Sequence, residues 1–221
     1  MQKNRGTEII FGLIFAVSAI SGYLAYRYHQ YITEPVTIRI CNANESEVNL
    51  INQKLEQMTS GARGEVDIIF VVEKLSPNNS GQCMKNAKLD FCTIVIERHS
   101  LGGGTIWHEV FHAHFLSLPE KAKREWRAML GRPDYIGDAW DKENLAAFPH
   151  DGLISPYGRK NIDEDVATWG EAIHNHLNDQ LSWLRLPFDK QNPIYPQILA
   201  WFLKWDFINQ KQHDRVNEIF N

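Results

Sequence analysis

The sequence predicts an α+β domain, a small N-terminal sheet followed by packed helices, preceded by one N-terminal transmembrane helix. Three observations predict it. The strongest β-branched runs, 66–72 (VDIIFVV) and 91–96 (FCTIVI), both fall in the first half of the chain. Everything after Gly104 has helical periodicity or loop composition. Residues 9–26 are 18 consecutive uncharged and mostly apolar side chains.

The apolar segment comes first. A helix over 9–26 rises roughly 27 Å at 1.5 Å per residue, close to the thickness of a hydrocarbon core. Tyr23, Tyr26, Tyr28 and Tyr31 stand where interfacial aromatics lie. Lys3 and Arg5 keep residues 1–8 cytoplasmic, which puts the body of the chain outside the cytoplasm. A cleaved signal peptide is the competing reading, because Ala19-Ile20-Ser21 has small residues at peptidase spacing, and the body is then secreted. The length of the run favours the anchor. A core helix is the third possibility, and the terminal position and basic flank speak against it.

Residues 27–36 form a polar, Pro-ended linker, and the folded domain occupies 37–221. A first strand is expected at 36–41. Val48, Leu50, Ile51, Leu55 and Met58 lie at helical spacing within 44–58, and SGARG (60–64) stops that helix. Strand 66–72 follows, then a loop rich in Ser, Pro, Asn and Gly, then strand 91–96. Helices are expected at 105–116, at 119–130 with Pro119 in its first turn and Gly131 past its end, and at 163–186. Residues 194–220 hold a fourth, with an apolar stripe of Ile198, Leu199, Phe202, Trp205, Phe207 and Ile208 that reads as a core-packing face.

Composition excludes several classes. With 43% hydrophobic residues, seven Trp and eleven Phe, the chain has material for a core and is not disordered. Its 23 basic against 27 acidic residues argue against a nucleic-acid surface. Cys83 and Cys92 bracket MKNAKLDF and are placed to close a short disulfide loop that leaves Cys41 unpaired. Three cysteines leave that pairing open, and all three also suit small core positions; no CxxC spacing occurs.

The chemistry sits in TIWHEVFHAHFL (105–116), which contains His108-Glu109-Val110-Phe111-His112. Positions i and i+4 lie about 40° apart around a helix, so both imidazoles aim at one point, as a tetrahedral metal requires. Glu109 projects about 100° away, out of ligand range but within reach of a metal's water, where a general base belongs. Ile106, Trp107, Val110, Phe111, Phe115 and Leu116 make the helix apolar around nearly its whole girth, so it is central. Thr105 has the character of a cap. His114, about 200° from His112, is structural. A third ligand must come from elsewhere; Asp163, Glu164, Asp165, Glu171 and His174 are the candidates, and Asn161 is placed to cap a helix whose first turn holds the three adjacent acids.

HExxH followed about fifty residues later by Ser155, Tyr157, Gly158, Asn161, Glu164, Asp165 and Ala167 resembles the gluzincin-type zinc metallopeptidases, in particular the set similar to the anthrax lethal factor catalytic domain. Val166 stands where that pattern has Phe. The resemblance covers roughly residues 91–172, about a third of the chain. It implies a zincin-like fold, Zn2+ held by His108, His112 and Glu164, Glu109 as base, Tyr157 as donor to the oxyanion, and a peptide or protein substrate. Where the pattern has a second acid four residues after the ligand, this chain has Thr168, which implies weaker zinc affinity or slower turnover. In zincins an edge strand beside the active-site helix pairs with an extended peptide; 91–96 is either that strand or a central one. The function expected is a membrane-anchored zinc metallopeptidase. The alternative is a weak or inactive zincin-fold binding module on the same side of the membrane.

Overall fold

In a computed structural model, residues 38–76, 79–86, 89–130, 156–178 and 193–220 are described. The expected anchor at 9–26 and linker at 27–36 lie outside these residues. Among the described residues, no helix is long and apolar enough to cross a membrane.

The architecture is α+β, with a four-stranded sheet and packed helices, as the sequence predicts. Strand β1 (Arg39–Cys41) leads through Asn42, at φ 59°, to helix α1 (Glu45–Glu56). Asn44 caps α1 by accepting from Glu47 N, while the Glu47 carboxylate accepts from Asn44 N, so two otherwise orphaned donors are satisfied. SGARG does not simply stop the helix. It forms a short helix of its own, α2 (Ser60–Gly64), because Thr59 Oγ1 accepts from Ala62 N and so starts a new turn. Strand β2 (Ile68–Val72) follows, then β3 (Gly81–Asn86), β4 (Phe91–Glu97) and a 3-10 turn (Arg98–Ser100).

The strands are ordered β1-β2-β4-β3, with β1/β2 and β2/β4 parallel and β3/β4 antiparallel. Strand β4 is therefore internal, so of the two readings of 91–96 the central strand holds, and among the described residues β1 and β3 are the edges. Sequence reading missed β3 because GQCMKN has no β-branched residue and no apolar alternation. Period-two burial shows which face is the core. Ile69, Val71, Cys92, Ile94 and Ile96 are buried, and Phe70, with its side chain on the opposite face, is exposed.

Helix α3 (Thr105–Ser117) lies against that face, with α4 (Glu120–Leu130) after it. A 3-10 turn (Pro156–Arg159) precedes α5 (Ile162–Leu177), and α3 packs most extensively on α5. Their approach requires glycine at 170, where a Cβ would fall 2.2 Å from Phe111 Cδ2. The predicted fourth helix is two, α6 (Ile194–Lys204) and α7 (Gln210–Phe220). Asp206 adopts φ 58° after α6, Phe207 N donates to Phe202 O, and Asn209 then caps α7 in a reciprocal pair with Gln212. The bend folds Phe207 back onto Phe111, Trp201 and Phe202, with centroids 4.9–5.5 Å apart. Truncating a fully buried ring of this core, such as Trp107 or Phe111, costs about 3–5 kcal/mol.

Candidate metal centre

Helix α3 starts at Thr105, but Thr105 is not its cap: Gly104 occupies that place and offers no side chain. The loop before it is held instead by Lys54, whose Nζ donates to Gly103 O at 2.8 Å and lies 4.0 Å over the Trp107 ring. Ile106 through Phe111 are all buried, as expected of a central helix. One helical turn apart, His108 and His112 bring their Nε2 atoms to 3.0 Å.

The third member comes from α5. Asn161 Oδ1 accepts from Glu164 N at 2.8 Å, which fixes the first turn and directs Glu164 at α3. Glu164 Oε2 lies 3.2 Å from His108 Nε2 and 3.1 Å from His112 Nε2. The three donor atoms form a nearly equilateral triangle. Tetrahedral zinc, at about 2.0–2.1 Å from such donors, sets them about 3.3 Å apart, so the triangle opens by only about 0.2 Å to accept it. The residues fit a metal, and the group is buried apart from a partly open His112. Tyr157 OH donates to the other carboxylate oxygen, Oε1, at 2.7 Å, and Lys160 Nζ stands 3.4 Å from the same atom.

Of the other ligand candidates, none joins the triangle. Asp165 accepts instead from Trp126 Nε1 at 3.1 Å. His174 is enclosed between the Trp107 and Phe111 rings at 5.4 and 5.3 Å. Glu171 takes a different place, its Oε2 3.2 Å from His108 Nδ1, an ion-pair contact outside the alignment of a full hydrogen bond. That is where a carboxylate orients a ligating imidazole. Thr168 instead donates its hydroxyl to Asp165 O at 3.0 Å. The acid that faces His108 Nδ1 thus stands one turn beyond Thr168 on α5. His114 is structural as expected, with Nε2–H donating to Trp205 O at 2.8 Å.

Two glycines make room for the site's carboxylates. A Cβ on Gly81, the first residue of edge strand β3, would lie 2.6 Å from Glu109 Oε1 and 2.7 Å from Thr105 Cγ2. A Cβ on Gly104 would lie 2.4 Å from Glu171 Oε1. Both are read from tertiary packing, and no sequence signal marks either.

Electrostatics divide the carboxylates by role. Burial alone would raise the Glu164 carboxyl, but contacts with His108 and His112 outweigh it and hold the group well below the usual carboxylate range. Burial opposes charge on His108, yet Glu164 and Glu171 prevail and raise its imidazolium to about 10. Glu109 goes the other way: burial raises its carboxyl, and the histidines only partly offset this. Burial also raises the Tyr157 phenol, with the Glu164 charge adding to it, so the hydroxyl stays a donor. His174 is pushed down to about 3 by burial and is a neutral core ring. Lys54 is lowered by burial to about 8, with Glu171 acting against the shift.

Comparison with protein-family models, curated proteins and solved structures finds no match to this chain. The residues themselves therefore carry the functional argument.

Proposed function

We propose that the protein is a membrane-anchored, zinc-dependent peptidase whose metal is held by His108, His112 and Glu164. The observation that carries this reading is the 3.0–3.2 Å convergence of His108 Nε2, His112 Nε2 and Glu164 Oε2, with Glu109 on the same buried helix. Two imidazoles and one carboxylate form the donor set of a catalytic zinc site with one position left open. Bound zinc would supply a Lewis acid for the scissile carbonyl and lower the pKa of a water. Glu109, whose affinity for a proton is raised by burial, takes the proton of the attacking water and returns it to the leaving amine. Tyr157 turns its hydroxyl from Glu164 to the developing oxyanion. Lys160, beside that carboxylate, takes over the contact Tyr157 gives up. Strand β3, an edge of the sheet among the described residues, presents backbone groups to an extended peptide next to Glu109.

Glu171 at His108 Nδ1 supports turnover over the rival reading of a weak or inactive binding module, which draws on Thr168 and on the small size of the domain. The anchor, and hence a location outside the cytoplasm, rests on residues 1–26 of the sequence alone. The test is metal analysis with peptide-library digestion of wild type and Glu109→Gln. One zinc per chain in both proteins, with hydrolysis only in wild type, is the expected result. A metal-free wild type, or hydrolysis by Glu109→Gln, refutes the reading.

A further inference from the structure

Among the described residues outside the metal centre, two cysteine side chains stand close together. Cys83 on β3 and Cys92 on β4 have their Sγ atoms 3.4 Å apart. The strands are adjacent and antiparallel, with Cys83 opposite Ile94 and Cys92 opposite Lys85, so the two cysteines meet on the diagonal of one sheet face. Cys92 is buried at 1% exposure, whereas Cys83, on the edge strand, is half-buried. Closing the gap to an S–S bond moves the sulfurs about 1.4 Å, within the reach of two side-chain torsions.

We infer that Cys83 and Cys92 are a redox pair that closes into a disulfide stapling edge strand β3 to β4, with Cys83 as the entry thiol and Cys92 as the resolving thiol. Cys41 on β1 takes no part, since β2 and β4 separate it from β3. The co-reactant is a small-molecule or protein disulfide. Cys83 Sγ attacks one of its sulfurs, forming a mixed disulfide, and the Cys83 proton leaves with the departing thiol. Cys92 Sγ then attacks Cys83 Sγ, and the second thiol departs with the Cys92 proton. Two cysteine thiols lose two electrons, and the exogenous disulfide gains them as two thiols. Contact with Cys83 lowers the Cys92 thiol against the effect of burial, with Lys85 adding to it, whereas contact with Cys92 and burial raise the Cys83 thiol; Cys83 therefore enters by its access to solvent, and Cys92 resolves as the better thiolate. The staple holds the strand whose first residue, Gly81, packs on Glu109. The inference stands without the metal or the proposed reaction.

The test is to incubate the full-length chain, purified in mild detergent, with excess glutathione disulfide and then count thiols after denaturation. The three thiols of the reduced chain fall to one, peptide mapping finds Cys83 joined to Cys92, and the melting temperature rises by roughly 5–10 °C, reversed by dithiothreitol. Cys92→Ser traps glutathione on Cys83, whereas Cys83→Ser leaves Cys92 unmodified in the folded protein. Three surviving thiols, a bridge to Cys41, or a stable glutathione adduct on Cys83 of the wild-type chain would each overturn the inference. So would modification of Cys92 in folded Cys83→Ser.

Discussion

Replacing Glu171 with Gln separates the orienting role of this residue from simple packing. Glu171 Oε2 lies 3.2 Å from His108 Nδ1, and each side chain is 10% exposed, so solvent screens the pair little. At an effective dielectric of about 20, charges at that distance attract by about 5 kcal/mol before desolvation is subtracted. Glutamine keeps the volume that fills the space against Gly104 and removes only the charge, so no cavity opens. Loss of such outer carboxylates weakens metal binding 10- to 100-fold, about 1.4–2.7 kcal/mol. The assay is zinc competition against a chelator of known affinity, at fixed pH, with wild type, Glu171→Gln and Thr168→Glu. Glu171→Gln is expected to bind zinc 10- to 100-fold more weakly. Thr168→Glu gains nothing, because His108 Nδ1 already faces a carboxylate, and it melts at lower temperature because a second acid enters a site 1% exposed. Zinc affinity of Glu171→Gln within threefold of wild type, or tighter binding by Thr168→Glu, would refute the assignment.

Gly81→Ala places a Cβ 2.6 Å from Glu109 Oε1, so the carboxylate shifts by several tenths of an ångström; hydrolysis is expected to fall about 10²-fold with zinc content unchanged, measured by kcat and metal analysis. Asn161→Ala removes the cap that holds Glu164 and is expected to cost about 1 kcal/mol in denaturant unfolding and to weaken zinc binding. In the metal-free protein the His108–Glu164 contacts contribute most between about pH 4.5 and 6.5. His108, raised from 6.5 to about 10 by its carboxylates, contributes fully below 6.5 and loses its contribution as pH rises through 10. Glu164, depressed from 4.5, contributes above that value and loses its contribution as pH falls below it. Denaturant melts across pH check the window. Because His108 holds a proton at pH 7.5, zinc uptake there is expected to release about one proton, read by calorimetry in buffers of different ionisation enthalpy.

Local spacing was enough to place His108 and His112 on one helical face and Glu109 beside them, because a turn of helix is a fixed geometry. Apolar residues around the whole girth of 105–116 likewise announced a buried helix, and Asn161 announced the cap of α5. Where the chain's own backbone sets the distance, a sequence determines the result. The third ligand was one of five candidates until α5 packed on α3, since Glu164 lies 56 residues from His108 and only the contact of two helices selects the side chain that arrives. The same contact brought Glu171, not the side chain at 168, to His108 Nδ1. Strand β3 was invisible because its pairing with β4, not its composition, makes it a strand. The break between α6 and α7 lay hidden within a continuous apolar stripe, because Phe207 gains more by folding back onto Phe111 and Phe202 than by extending the helix. Gly81 and Gly104 carry no signal in sequence at all. What they provide is absence of a Cβ, and its value exists only once a carboxylate from another segment occupies the space.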